Sequence, residues 1–319
     1  MVAINLPTGY TVRAPHLDDV EAIAAHARAY TLAAVGFADY TADDVRDGLT
    51  ESGFDAARDG RLVLDAAGEP AGWAMVHAMS DSDQVEIDVL AGDPPVTRLL
   101  LDWAVDRAKE IGRTHGHPRV RVDHGIYRAD EPLRAQVRAR GFQPATTFHR
   151  MRVDHPRPAP PPPAPPAGLV LRSGTDPAVR PVAHEMLDAA FADHFGYVRK
   201  PYDTWHENLD RRSTFDWSQL WVAELDGRPV AGLECNEQFV HDEDCGYVAN
   251  VGVLPAARGR GVAKYLLRHA FAVDAAAGRT GTLLHVDSNN ITPALRLYES
   301  VGMRTVLVID AWRLIVDTR

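Results

Sequence analysis

The chain has 319 residues, 45% hydrophobic and 24% charged, the composition of a globular protein long enough for two domains that each bury a core. Its formal net charge of -10 at pH 7 repels phosphate backbones and anionic lipid, which argues against nucleic-acid and membrane partners. Two cysteines, Cys235 and Cys245, make no disulfide framework or zinc site. No run is long enough for a membrane span, and the first residues lack a signal-peptide pattern, so a cytoplasmic location is expected.

The first half opens on a strand, Tyr10 to Arg13. Another strand, Val85 to Leu90, leads through Gly92-Asp93-Pro94-Pro95 into a helix from Thr97 to Ile111. A short helical stretch, Pro132 to Val137, precedes Gly141. The segment from Pro156 to Pro166 is too proline-dense for helix or sheet and reads as an extended spacer. This divides the chain into a domain at 1–154, a linker at 155–167 and a domain at 168–319.

The second half opens on Leu169 to Arg172 and a helix from Pro181 to Asp193. A hairpin follows, Leu220 to Leu225 and Val230 to Val240, around the turn pair Asp226-Gly227. Then come a strand Gly246 to Val253, a helix Val262 to Ala277, a strand Thr282 to Asp287, a helix Pro293 to Ser300 and a last strand from Thr305 to Leu314. Three anchors relate the halves: Arg13 with Arg172 (172 − 13 = 159), Gly72 with Gly232 (232 − 72 = 160) and Gly141 with Gly302 (302 − 141 = 161). The small drift predicts two copies of one α/β fold built on a mixed sheet.

Chemistry concentrates in the second half. Arg258-Gly259-Arg260-Gly261 lies where a strand hands over to a helix. Backbone N–H groups can converge there on an anion that the helix dipole favours. The glycines let a phosphate approach, and the arginines add charge. The loop lacks the third glycine of a dinucleotide fingerprint and the Lys-Ser/Thr ending of a nucleotide P-loop. Downstream, Thr292-Pro293 starts a helix carrying Tyr298, a position that a core tyrosine would also fill. Asp123, His124 and His117 match no metal-site spacing, and no metal is expected.

Together these features resemble the GNAT superfamily of acyl-CoA N-acyltransferases. Arg258-Gly259-Arg260-Gly261-Val262-Ala263 is similar to the family's Arg/Gln-x-x-Gly-x-Gly/Ala loop, and Asn290 with Ala294 to Tyr298 to its second conserved stretch, with one extra residue of spacing. Two copies joined by a linker resemble the tandem, mycothiol synthase-like members. The resemblance implies two tandem GNAT-like domains and acetyl-CoA or another acyl-CoA as co-substrate. Val251, Gly252 and Val253 would pair with pantetheine, and Arg258 to Ala263 would hold pyrophosphate. Tyr298 would act as general acid to the CoA thiolate after direct attack by a small-molecule amine, in secondary metabolism. Its acceptor wall falls on His194, Tyr197 and Trp205, which a packing cluster would equally explain.

For the base, Glu234, Glu237, His285 and Asp287 are candidates, and Glu234 is chosen. Alternation places Glu234 and Asn236 on one strand face, and Glu237 with Cys235 on the other. The first half lacks the loop: Asp93 would repel pyrophosphate and two prolines remove two donors. By the 161 offset, Val137 stands where Tyr298 stands (298 − 161 = 137). The N-terminal domain is therefore expected to be a degenerate, non-catalytic copy. Two other readings stay open: an acyl carrier protein as donor, with Arg258 and Arg260 facing it, and a non-catalytic acyl-CoA sensor.

Overall fold

A computed structural model describes residues 6, 8–78, 81–159, 161–192, 194–289 and 294–319. They form two compact units: residues 1–147 with 309–319, and residues 148–308.

In chain order the elements up to the linker are β1 (Thr11–Arg13), α1 (Val20–Val35), α2 (Ala42–Thr50), α3 (Ala56–Asp59), β2 (Gly60–Leu64), β3 (Pro70–Ala78), β4 (Gln84–Leu90), α4 (Pro94–Thr114), β5 (Arg119–Tyr127), α5 (Glu131–Ala139) and β6 (Gln143–Asp154). After it come β7 (Leu169–Ser173), α6 (Val179–Phe191), α7 (Tyr202–Arg211), β8 (Leu220–Leu225), β9 (Arg228–Asn236), α8 (Val240–Glu243), β10 (Cys245–Val253), α9 (Val262–Ala276), β11 (Gly281–Asp287), α10 (Ala294–Glu299) and β12 (Arg304–Asp317).

The first unit pairs its strands in the order β1-β2-β3-β4-β5-β12, antiparallel except for parallel β4–β5. The second repeats this as β7-β8-β9-β10-β11-β6, with β10–β11 the parallel pair. The repeat extends to the turn after the last short helix. Phe142 N–H donates to Val137 O at 3.2 Å, and Met303 N–H donates to Tyr298 O at 3.1 Å. Each unit therefore has the same mixed α/β fold.

Two sequence readings, of the last strand and of the hairpin, are revised. The last strand forms, but its residues 309–317 pair with β5 of the first unit and do not close the half that encodes them. In return, residues 148–154 of β6 close the second unit along β11. The reason is core fit: Trp312 enters the first unit's core, and Met151 enters the second's. Arg313 donates to both Asp123 oxygens at 2.6 Å. The hairpin's second strand ends at Asn236, short of Val240. Its turn is as expected, with Asp226 and Gly227 both at positive φ, which matches the right-handed strand twist.

Trp312 is only 2% exposed. Trp312→Ala is expected to destabilise the protein by about 3–5 kcal/mol through the cavity it leaves. Chemical denaturation of both proteins measures this, and a loss under about 1 kcal/mol would mean that β12 is not integral to the first unit.

Candidate active site

The site begins with a parted ladder. β10 pairs with β11 from Cys245↔Gly281 only as far as Val248↔Leu284. Beyond this point β10 stays on β9 through Val253↔Ala231, and β11 stays on β6 through Asp287↔Phe148. Residues 249–253 thus turn toward β11 an edge with no ladder partner among the described residues. Backbone N–H and C=O groups on such an edge need hydrogen bonds from elsewhere. An extended amide-bearing chain laid along it supplies them.

A bulge adjusts the same stretch. Val248 opposes Cys235 and Asn250 opposes Glu234, which leaves Ala249 as the extra residue. One extra residue reverses the alternation. Val248, Val251 and Val253 all join the core cluster that includes α9 residues. Gly252 takes the other face, where a side chain would lie 2.5 Å from Ala190 Cβ of α6. β4 has no such irregularity against β3.

At the C-terminal end of β10 the loop enters α9. Gly259 and Gly261 have φ of 76° and 80°, and nothing lies within 4 Å of where a Cβ would be. Glycine is thus required here by backbone conformation, and the space above the loop is open. Gly261 is the N-cap of α9 and offers no side-chain cap. The first-turn amides of Val262, Ala263 and Lys264 have no preceding carbonyl to bond, so an anion can take them. Arg258 Nε donates to Val253 O at 3.1 Å, and Arg260 lies 3.6 Å from Asp226; both are exposed. The chemistry of this loop fits a pyrophosphate.

Tyr298 on α10 belongs to the same buried cluster as Val248, Leu284 and Val286, on the two sides of the parting. Burial pushes its hydroxyl up to about 12, so it holds its proton at neutral pH. Asn290 lies outside the described residues.

Glu234 occupies the opposite face. It is 3% exposed, and Asn250 Nδ2 donates to it at 3.2 Å. Burial raises its carboxyl, against the lowering effects of Arg212, Asn250 and Lys200. Glu237 is off the strand, and its carboxylate is held by Arg279 at 2.5 Å. Asp287 accepts the Asn289 N–H at 2.9 Å. His285 accepts from Arg150 Nε at 3.4 Å, and burial and the Arg150 charge push it down to about 3.

The acceptor-wall candidates separate. His194 and Tyr197 gather around Phe191, with ring centroids at 4.5 and 6.2 Å. The Phe191 ring edge would be 3.3 Å from a side chain at Gly252. Tyr197 donates to Asp188 at 2.6 Å. Trp205 stands with His184, Tyr202 and Trp217 in a cluster of tilted and edge-on rings against α6. Residue patterning carries no sign of the bulge, of Asn250 on Glu234, or of Arg150 from β6. Alternation alone could have flagged Asn250, but the bulge breaks it. Among the described residues no group of three or more His, Cys, Asp and Glu could hold a metal ion, and no helix is long and apolar enough to cross a membrane.

A parted parallel pair, a glycine loop at a helix start and a buried tyrosine beside the parting define a tandem acyl-CoA N-acyltransferase. The acetyltransferase (GNAT) family model matches residues 184–303. A mycothiol acetyltransferase of Thermomonospora curvata is 32% identical over 225 residues, 63% of this chain and 73% of that protein. A GCN5-related N-acetyltransferase from Sphaerobacter thermophilus superposes with a TM-score of 0.81 at 24% identity, over 98% of both chains. A tandem GNAT protein from the clavulanic acid pathway gives 0.71 at 15% identity, over 97% of this chain and 99% of its own. The chain belongs to the GNAT acetyltransferase family and is an acyl-CoA N-acyltransferase.

Gly261→Ala forces a left-handed conformation on a residue with a Cβ, at a cost of about 1–2 kcal/mol. The acyl-CoA KM is expected to rise about tenfold with kcat little changed. Steady-state kinetics check this, and an unaltered KM would remove the loop from cofactor binding.

Proposed function

We propose that the second unit transfers an acetyl group from acetyl-CoA to the amine of a small molecule by direct attack. The observation that carries this is the parting of β10 from β11 beyond Val248↔Leu284, with the glycine loop at its end and Tyr298 beside it. The edge of residues 249–253 would hold the pantetheine amides. A strand amide among Val251, Gly252 and Val253 would polarise the thioester carbonyl. The amides of Arg258 to Ala263 would hold the pyrophosphate.

Tyr298 keeps its proton at neutral pH and gives it to the departing sulfur as general acid. Glu234 takes the proton that the attacking ammonium must lose. Its raised carboxyl suits it to this role, and Asn250 holds it in place. His194 and Tyr197 line the acceptor side, and Trp205 contributes through packing. A small-molecule acceptor is supported by the relative named mycothiol acetyltransferase.

We further propose that the half before the linker is non-catalytic. α4 starts with Pro94 and Pro95, so two of its first amides are missing. The Thr97 hydroxyl donates to Ala91 O at 2.8 Å, closing the loop on itself. Val137 holds the Tyr298 position and has no proton to give.

Tyr298→Phe is expected to lower kcat by about a hundredfold while the acetyl-CoA Kd stays the same. Full turnover in this variant would rule out the general-acid role. Glu234 works only as carboxylate, so kcat/KM should fall as pH drops through its raised value, above the usual ~4.3 of a glutamate. Glu234→Gln should be slow and lack that acid limb. Persistence of the limb in Glu234→Gln would assign it to another group.

A further inference from the structure

Glu234 has a polar neighbour on its own strand face. Asn236 is the last residue of β9 and stands two positions further on. Alternation points both side chains to the side on which Gly232 faces Leu187 of α6. The register sets them about the parting of the strands. Cys235, between them, opposes Val248, and Val248↔Leu284 is the last pair that β10 makes with β11. Glu234 lies one residue to the open side of that pair, level with Asn250. Asn236 lies one residue to the closed side, level with Tyr247.

The Asn236 amide is only half used. Its Oδ1 accepts the Gln238 N–H at 3.0 Å. An amide oxygen can accept this bond and an amide nitrogen cannot, so the orientation of the group is fixed. Nδ2 is left as a donor, with no hydrogen-bond partner among the described residues. Asn236 is 2% exposed, so bulk solvent does not serve that donor. A buried donor without a partner costs free energy, and folded proteins keep few of them. The Nδ2 of Asn250, by contrast, is spent on Glu234.

We infer that Asn236 is an acceptor-binding residue: its free Nδ2–H donates to an oxygen of the small molecule whose amine is held at Glu234. This rests on the acetyl transfer proposed above, with Glu234 as base. Same-face neighbours on a strand are rooted about 7 Å apart. One small molecule reaches both side chains when its oxygen lies a few bonds from its amine. The acceptor class is therefore a vicinal amino alcohol or an α-amino amide, and not a plain alkylamine. A hydroxyl or carbonyl oxygen supplies the lone pair that Nδ2–H lacks. A methylene in its place leaves the donor buried and unpaired, and that penalty is the source of discrimination.

Matched amines test this, with acetyl-CoA as donor. One pair is trans vicinal aminocyclohexanol against cyclohexylamine. The other is alaninamide against its analogue with an isopropyl group in place of the carboxamide. The readout is a preference: kcat/KM for the oxygen-bearing amine over that for its partner. The wild type is expected to prefer the oxygen-bearing amine in at least one pair. Asn236→Leu should lower that preference about tenfold, with the acetyl-CoA KM unchanged. Asn236→Thr keeps an oxygen for the Gln238 N–H, which protects the fold, and should lower it likewise. Any effect on Glu234 acts on both amines of a pair and drops out of the preference. No preference in the wild type, or one that survives in either variant, would overturn the inference and leave acetyl transfer standing. Transfer to none of these amines, by a protein that binds acetyl-CoA in calorimetry, would overturn it too. A wild type that does not bind acetyl-CoA would instead overturn the reading on which it rests.

Discussion

The second unit depends on one interrupted ladder. β10 and β11 share only the pairs from Cys245↔Gly281 to Val248↔Leu284, although both strands continue. An unpaired strand edge inside a sheet is costly unless something bonds it. The local structure keeps it open. Ala249 bulges from β10, and Gly252 lets α6 close in from one side. The strands part there, and the edge of residues 249–253 is where the proposed pantetheine contact falls. The glycine loop and Tyr298 have their roles only relative to this opening.

The opening also separates two chemical environments. The α9 side carries the loop amides and Tyr298; the α6 side carries Glu234 and Asn250. Burial acts on all of these in predictable directions. It favours neutral forms, so Tyr298 and Glu234 move up and His285 moves down. A buried carboxyl raised above its usual range is a stronger base than an ordinary glutamate, and a histidine pushed down to about 3 beside Arg150 is a weak one. The proposed mechanism therefore takes Glu234 rather than His285 as base.

The first unit keeps the fold without the residues of the proposed site. Its strand order and its parallel pair repeat those of the second unit, and its ladder likewise stops early, at Ile87↔His124. It lacks the bulge, the glycine loop and the tyrosine. Core residues at the same spacing preserve the architecture, while the groups that would bind or protonate are replaced. Each unit's sheet ends on a strand from the other half of the chain, so neither half encodes a whole sheet.

Much of this was legible in the chain itself. The Asp226-Gly227 hairpin, the helix starting at Val262 and the 161-residue offset between Val137 and Tyr298 come from turn chemistry and periodicity, which are local. The loop from Arg258 to Ala263 was readable because glycine next to a helix start has a local conformational cause. Alternation told that Glu234 and Cys235 face opposite ways but not which face holds the cleft. That answer needed α6 and α9 in place. The exchange of β6 and β12 was beyond sequence reading, because period two shows that a segment is a strand and says nothing of its neighbour. Arg150 became visible for the same reason. Sequence alone determined most of the elements and the glycine turn at the start of α9; the tertiary structure decided the strand partners, the bulge at Ala249 and the burial of Glu234, since each depends on residues far apart in the chain.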